Sequence, residues 1–149
     1  MDIKQLKPKK QGRFKQGYIN PASCKKLFES VHNQPIIYRS SWEKKFIFWC
    51  EANPKVKHWG SECTCIHYYN PVDQKNHRYF PDFVVEMQDG SVLVVEIKPH
   101  NQTIPPENMN SWAAKTYAVN SAKWLALKSI CDERGYKFCI LTENTINRL

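Results

Sequence analysis

The sequence predicts a mixed α/β domain, in the order α-β-β-β-α-β, with helices flanking a mixed β-sheet and a basic N-terminal arm in front. Three observations carry this expectation. Apolar residues recur at helical spacing in 40–52 and 111–134, and each stretch opens on a serine and stops before Pro54 or Gly135. Between residues 61 and 98, runs rich in β-branched and aromatic residues alternate with turn signals. A last apolar run, "YKFCILT", follows the second helix.

The arm comes first. Residues 1–17 hold Lys4, Lys7, Lys9, Lys10, Arg13 and Lys15 against Asp2, so they supply +5 of the net charge of +8. With Gly12, Gly17 and few apolar residues, 1–20 reads as an arm without structure of its own, and 21–149 as a single domain. An arm of this charge is a solubility tail, a phosphate-tracking segment carried by Lys9, Lys10 and Arg13, or a docking segment for an acidic protein. The chain of 149 residues, 42% hydrophobic and 13% aromatic, is long enough for a real core. Its basic start excludes a secretory signal, and no run reaches the ~18 apolar residues of a membrane span, so no membrane partner is expected.

In the domain, "NPASCKKLFES" is expected to open a short helix with Pro21 in its first turn. The helix over 40–52 turns Trp42, Phe46, Trp49 and Cys50 inward, and Glu43 lies in its first turn, where an acid offsets the helix dipole. "SECTCIHYY" reads as the first strand, "NPVDQKN" as a turn and "HRYFPDFVVEM" as the second strand. "SVLVVEIK" is the third strand, "PHNQTIPPEN" a loop, 111–134 the long helix and "YKFCILT" the fourth strand, with one helical turn after it. Six cysteines without a CxxC pair read as free thiols. Cys63, Cys65 and His67 would share one strand face, but the spacing is wrong for zinc and a fourth ligand is missing, so ordinary strand residues are the expectation.

The chemistry lies in the hairpin. Gln88-Asp89-Gly90 suits a three-residue loop with Gly90 in the left-handed position, which pairs Met87 with Ser91 and sets Asp82 opposite Glu96. Lys98 then shares their face. A two-residue loop on Asp89-Gly90 would instead pair Asp82 with Ile97 and separate the acids. Two adjacent carboxylates repel unless one holds a proton or a cation sits between them. Mg²⁺, with Mn²⁺ as a substitute, suits one or two carboxylates plus water and phosphate, and a lysine beside it can orient an attacking water. The plain alternative is a structural ion pair from Lys98 to Asp82 or Glu96.

Pro81-Asp82, then the glycine hairpin, then Glu96-Ile97-Lys98, resembles the PD-(D/E)XK nuclease superfamily, and the element order matches its restriction-endonuclease-like core. The blocks "YRSSWEKKFIFWCEANPKVKHWGSE", "NPVDQKNHRYFPDF", "VVEIKPHNQT", "TYAVNSAKWLA" and "FCILTE" resemble the head-completion nucleases of T-even-type tailed phages and, more distantly, the end-cutting transposon nucleases. The resemblance implies catalytic residues Glu43, Asp82, Glu96 and Lys98, with Glu43, Asp82 and Glu96 as Mg²⁺ ligands. It implies an endonuclease leaving 3′-hydroxyl and 5′-phosphate ends. It also implies action in head completion after DNA packaging, hence the host cytoplasm or the virion, with DNA and head or portal proteins as partners. Two other readings compete: a DNA-holding completion factor that does not cut, and a dimeric junction-resolving or repair nuclease.

Further residues divide between function and structure. Glu62 is an outer member of the acidic cluster or a strand-edge charge. Asn120 breaks the apolar stripe Ala113, Tyr117, Trp124, Leu127, Cys131, so it bonds the lysine, a phosphate or a backbone group. Lys123 reaches a phosphate or faces solvent. Arg78 and Tyr79 contact the DNA backbone or form an exposed strand edge. His77 and His100 flank the motif, but nothing in the sequence brings either to the attacking water. Trp42, Trp49, Trp112 and Trp124 are read as core; only an exposed aromatic could stack on a base.

Overall fold

A computed structural model describes residues 17–31 and 35–149; Lys9, Lys10 and Arg13 lie outside the described residues. The strands are β1 (Gly17–Ile19), β2 (Ile36–Tyr38), β3 (Val56–Ser61), β4 (Ile66–Asn70), β5 (Lys75–Tyr79), β6 (Phe83–Met87), β7 (Val92–Ile97) and β8 (Lys137–Leu141). The helices are α1 (Ser41–Ala52), α2 (Trp112–Arg134) and α3 (Glu143–Ile146).

The central sheet has the order β3-β6-β7-β8. Its first three strands are antiparallel and β8 joins β7 in parallel, with α2 as the crossover. The set α1-β3-β6-β7-α2-β8 is the expected α-β-β-β-α-β core. On one face, Phe46, Ile47 and Cys50 of α1 and Ile146 of α3 pack against Trp59, Phe83, Val85, Val95 and Ile97. On the other, Leu127 and Cys131 of α2 pack with Val94 and with Ile66, Tyr68 and Tyr79 of a separate β4–β5 ribbon. By alternation, Asp82, Glu96 and Lys98 share this second face with Val94.

Local chemistry places these elements. Ser40 Oγ accepts the Glu43 N–H at 3.2 Å, capping α1, and Asn53 closes it before Pro54. Ser111 caps α2, and Gly135 ends it at φ +71°. At the β6–β7 turn Gly90 takes φ +88°, Gly90 N–H donates to Met87 O at 3.0 Å and Met87 N–H to Ser91 O at 2.8 Å. The register Phe83↔Val95 follows, so Asp82 and Glu96 are across from each other as the three-residue loop predicts.

Several expectations fail. No helix forms over "NPASCKKLFES": Asn20 caps a single 3₁₀ turn at Pro21–Ser23, and a second turn spans Glu29–Val31. Residues Gly17–Ile19, inside the stretch read as arm, pair with β2. The first core strand is Val56–Ser61, earlier than "SECTCIHYY", because Glu62 adopts φ +47° and turns the chain off the sheet before β4 begins. The strand read over 77–87 is broken at Phe80-Pro81-Asp82, where proline has no N–H to give to a ladder. Cys63 and Cys65 therefore sit in a connector rather than on one strand face with His67. Ala114, not Ala113, is buried on α2, and Trp112 is 80% exposed, not core.

Candidate active site

The site forms where the β6–β7 pair ends. Asp82 Oδ2 accepts the backbone N–H of Ile97 at 2.8 Å, which ties the end of one strand to the motif of the other. Glu96 is only 5% exposed. Its carboxylate accepts a hydrogen bond from the Tyr79 hydroxyl and lies 3.9 Å from Lys98 Nζ, the long end of an ion pair. Lys98 is itself held by its N–H, which donates to Leu141 O of β8 at 2.9 Å. Glu43 arrives from the first turn of α1, its carboxylate accepting the Arg39 N–H at 2.6 Å.

These acids crowd one another. Burial, followed by the negative charge of Glu96, pushes Asp82 up to about 8; the Ile97 N–H and Lys98 only partly offset this. Burial and then Asp82 push Glu43 up to about 7. Burial also raises Glu96, against the pull of Tyr79 and Lys98. The acids thus hold protons at a pH where free carboxylates have none, unless a cation enters.

The remaining predicted residues scatter around this center. Glu62 adds negative charge toward Asp82 and Glu43 and pairs with Arg39, and its N–H donates to Asp82 O at 2.9 Å, so it belongs to the outer acidic set. Lys123 comes from α2 and does not simply face solvent. Its Nζ lies 5.4 Å from the Tyr79 ring center and 5.7 Å from that of Tyr68, and burial followed by Lys98 lowers its pKa. Tyr79 is buried and bonded to Glu96, so it does not contact DNA from an exposed edge. Arg78 is exposed on the opposite ribbon face, its guanidinium 5.8 Å over Phe80. Asn120 is 5% exposed and bonds neither Lys98 nor a backbone group. His77 pairs with Asp73 in the ribbon, at 2.5 Å. Arg39 was not foreseen; the only signal is its place four residues before Glu43.

The donor set suits a hard cation. It offers carboxylate oxygens, no thiolate and no imidazole. Asp82 and Glu96, across from each other at the end of the β6–β7 pair, are the two carboxylates that could hold such an ion.

Comparison with known proteins agrees with this arrangement. The family model described as TnsA-like endonuclease N terminal matches residues 53–143, which holds Asp82, Glu96 and Lys98 but begins just after α1 and Glu43. The "Head completion nuclease" of Enterobacteria phage T4 is 39% identical over 124 residues, covering 76% of this chain and 83% of that protein. On the αβββαβ core, the Asp82/Glu96/Lys98 motif and these two similarities, the chain belongs to the TnsA-like endonucleases, nucleases of the PD-(D/E)XK type.

Proposed function

We propose that this chain is a Mg²⁺-dependent DNA endonuclease of phage head completion, acting after packaging, with Mn²⁺ able to replace Mg²⁺. The observation that carries the reading is the crowding of Asp82 and Glu96 beside Lys98, with Glu43 next to Asp82 and all three acids raised. Buried acids short of donors and pressed against like charges cost stability, and a cation at the site would relieve them. The role in the head follows from the similar phage T4 protein, whose name states it.

Asp82 and Glu96 would hold the cation, and Glu43 would join them by giving up its bond to Arg39. When bound, the cation supplies Lewis acidity toward a phosphate oxygen and makes a water easier to ionise. Lys98 orients the attacking water and offsets the charge that gathers on the phosphate oxygens. Water oxygen bonds to phosphorus as the bond to the 3′ oxygen breaks. That oxygen takes a proton, leaving a 3′-hydroxyl and a 5′-phosphate. Head or portal proteins are the expected partners, and the host cytoplasm during assembly the place of action.

The test is cleavage of linear, circular and branched DNA with Mg²⁺, Mn²⁺ or EDTA, by wild type, Asp82→Ala and Lys98→Ala. Cutting only with metal, and only by wild type, is expected while all three proteins bind DNA. Binding without cutting under any metal would overturn the reading in favor of a completion factor that only holds DNA.

A further inference from the structure

Beside the first turns of α2 lies a cleft of about 290 Å³, lined by Asn101, Gln102, Ile104, Trp112, Tyr117 and Asn120 among others. Two of its features lack a structural explanation. Asn120 is 5% exposed and lines the cleft, and no side-chain hydrogen bond engages its amide among the described residues. Trp112 is 80% exposed at the mouth, where the sequence suggests a core residue. An unengaged amide on a cleft wall and an aromatic face without cover suit the same kind of ligand.

We infer that this cleft is a nucleobase site that receives one unstacked base of the DNA being cut. The inference rests on the proposed reading of the chain as a DNA nuclease. A carboxamide carries a donor and an acceptor side by side, which matches the edge of a base. Asn101 and Gln102 add two more amides at the rim. Trp112 and Tyr117 offer aromatic faces for stacking, which accepts any base. The volume is at the lower bound of small-molecule sites, about 300 Å³, enough for a single base. Within a duplex the edge is paired and both faces are stacked, so the base must leave the helix to enter.

The position fits the chemistry next door. Asn120 is one helical turn before Lys123, about 4.5 Å along the axis. Asn101 is three residues after Lys98. Both cleft residues thus lie close in sequence to a lysine of the candidate site.

The test places 2-aminopurine, whose emission rises on unstacking, at successive positions from the end of a short duplex. Wild type, Trp112→Ala and Asn120→Leu are added with Ca²⁺ so that binding is read without cutting. Emission should change at one or two positions with wild type, as the base exchanges its DNA neighbours for the cleft. Both variants should lose that change and bind about five- to a hundredfold more weakly, while calorimetric Mn²⁺ binding stays unchanged. Trp112 is exposed, so its variant carries the test if Asn120→Leu does not fold. No responding position with wild type, or unchanged emission and affinity in the variants, overturns the base site. The two readings fail separately. A protein that unstacks a base but never cuts retains the base site and loses the nuclease; one that cuts with no emission change does the reverse.

Discussion

Two glutamate environments in this chain make an instructive contrast. Glu51, near the end of α1, accepts the backbone N–H groups of Lys25 and Lys26 at 2.5 and 3.0 Å and the indole N–H of Trp59 at 3.0 Å. Its oxygens are well supplied with donors, and it staples the segment before β2 to the core. At the other end of α1 and beside it, Glu43, Asp82 and Glu96 share far fewer donors: Arg39 N–H, Ile97 N–H and the Tyr79 hydroxyl, one apiece, plus a distant Lys98. An acid saturated with donors holds structure. Acids left short of them, and pressed together, are poised to take something from outside.

The contrast can be broken by substitution. Removing Lys98 as alanine should lower the cleavage rate by roughly 10²–10⁴-fold with the fold intact, measured by single-turnover cutting and a melting curve. Tyr79→Phe removes the one hydroxyl that orients Glu96, and should weaken Mn²⁺ binding about 10–100-fold by calorimetry. An unchanged affinity would make Tyr79 a packing residue only. Glu51→Ala should cost about 2 kcal/mol in denaturant unfolding, because three N–H groups lose their acceptor, with cleavage per folded molecule unchanged.

Changing pH sharpens the contrast without any substitution. Glu43 and Asp82 have folded pKa values raised to about 7 and about 8 from 4.5 and 3.8. The folded state then holds protons that the unfolded chain has released. The contribution of these two acids to the stability of the metal-free protein is fully present below about pH 4 and declines as pH rises toward 8, by up to about 1.4 kcal/mol per pH unit for each retained proton. Asp82→Asn should flatten the decline, as should saturating Mg²⁺. A melting temperature that rises over pH 5–8 would show that these acids are ionised without a cation.

What was readable in the sequence was local. The register of Asp82 against Glu96 depends on Gln88-Asp89-Gly90 alone, since a single left-handed glycine sets the pairing. The bounds of α1 and α2 are written in Ser40, Asn53, Ser111 and Gly135. What escaped was set by distant contacts. Tyr79 looks like an edge residue until the β4–β5 ribbon folds against α2 and turns it toward Glu96. The early start of β3 went unseen because "VKHWGS" has little strand composition and is held by pairing with β6. Nothing near Glu62 announces φ +47°, and nothing near Trp112 announces that the loop 99–111 leaves it uncovered.

The hydrogen bond from Lys98 N–H to Leu141 O also sets an order in time. Glu96 leaves the ribosome about forty residues before the strand that pins the lysine, and Asp82 earlier still; at about 5–20 residues per second that is an interval of seconds. During it the chain has its acids but no splint for Lys98, and α2 with Lys123 has yet to dock. On the proposed reading, the growing chain has no pinned Lys98 until β8 closes the sheet.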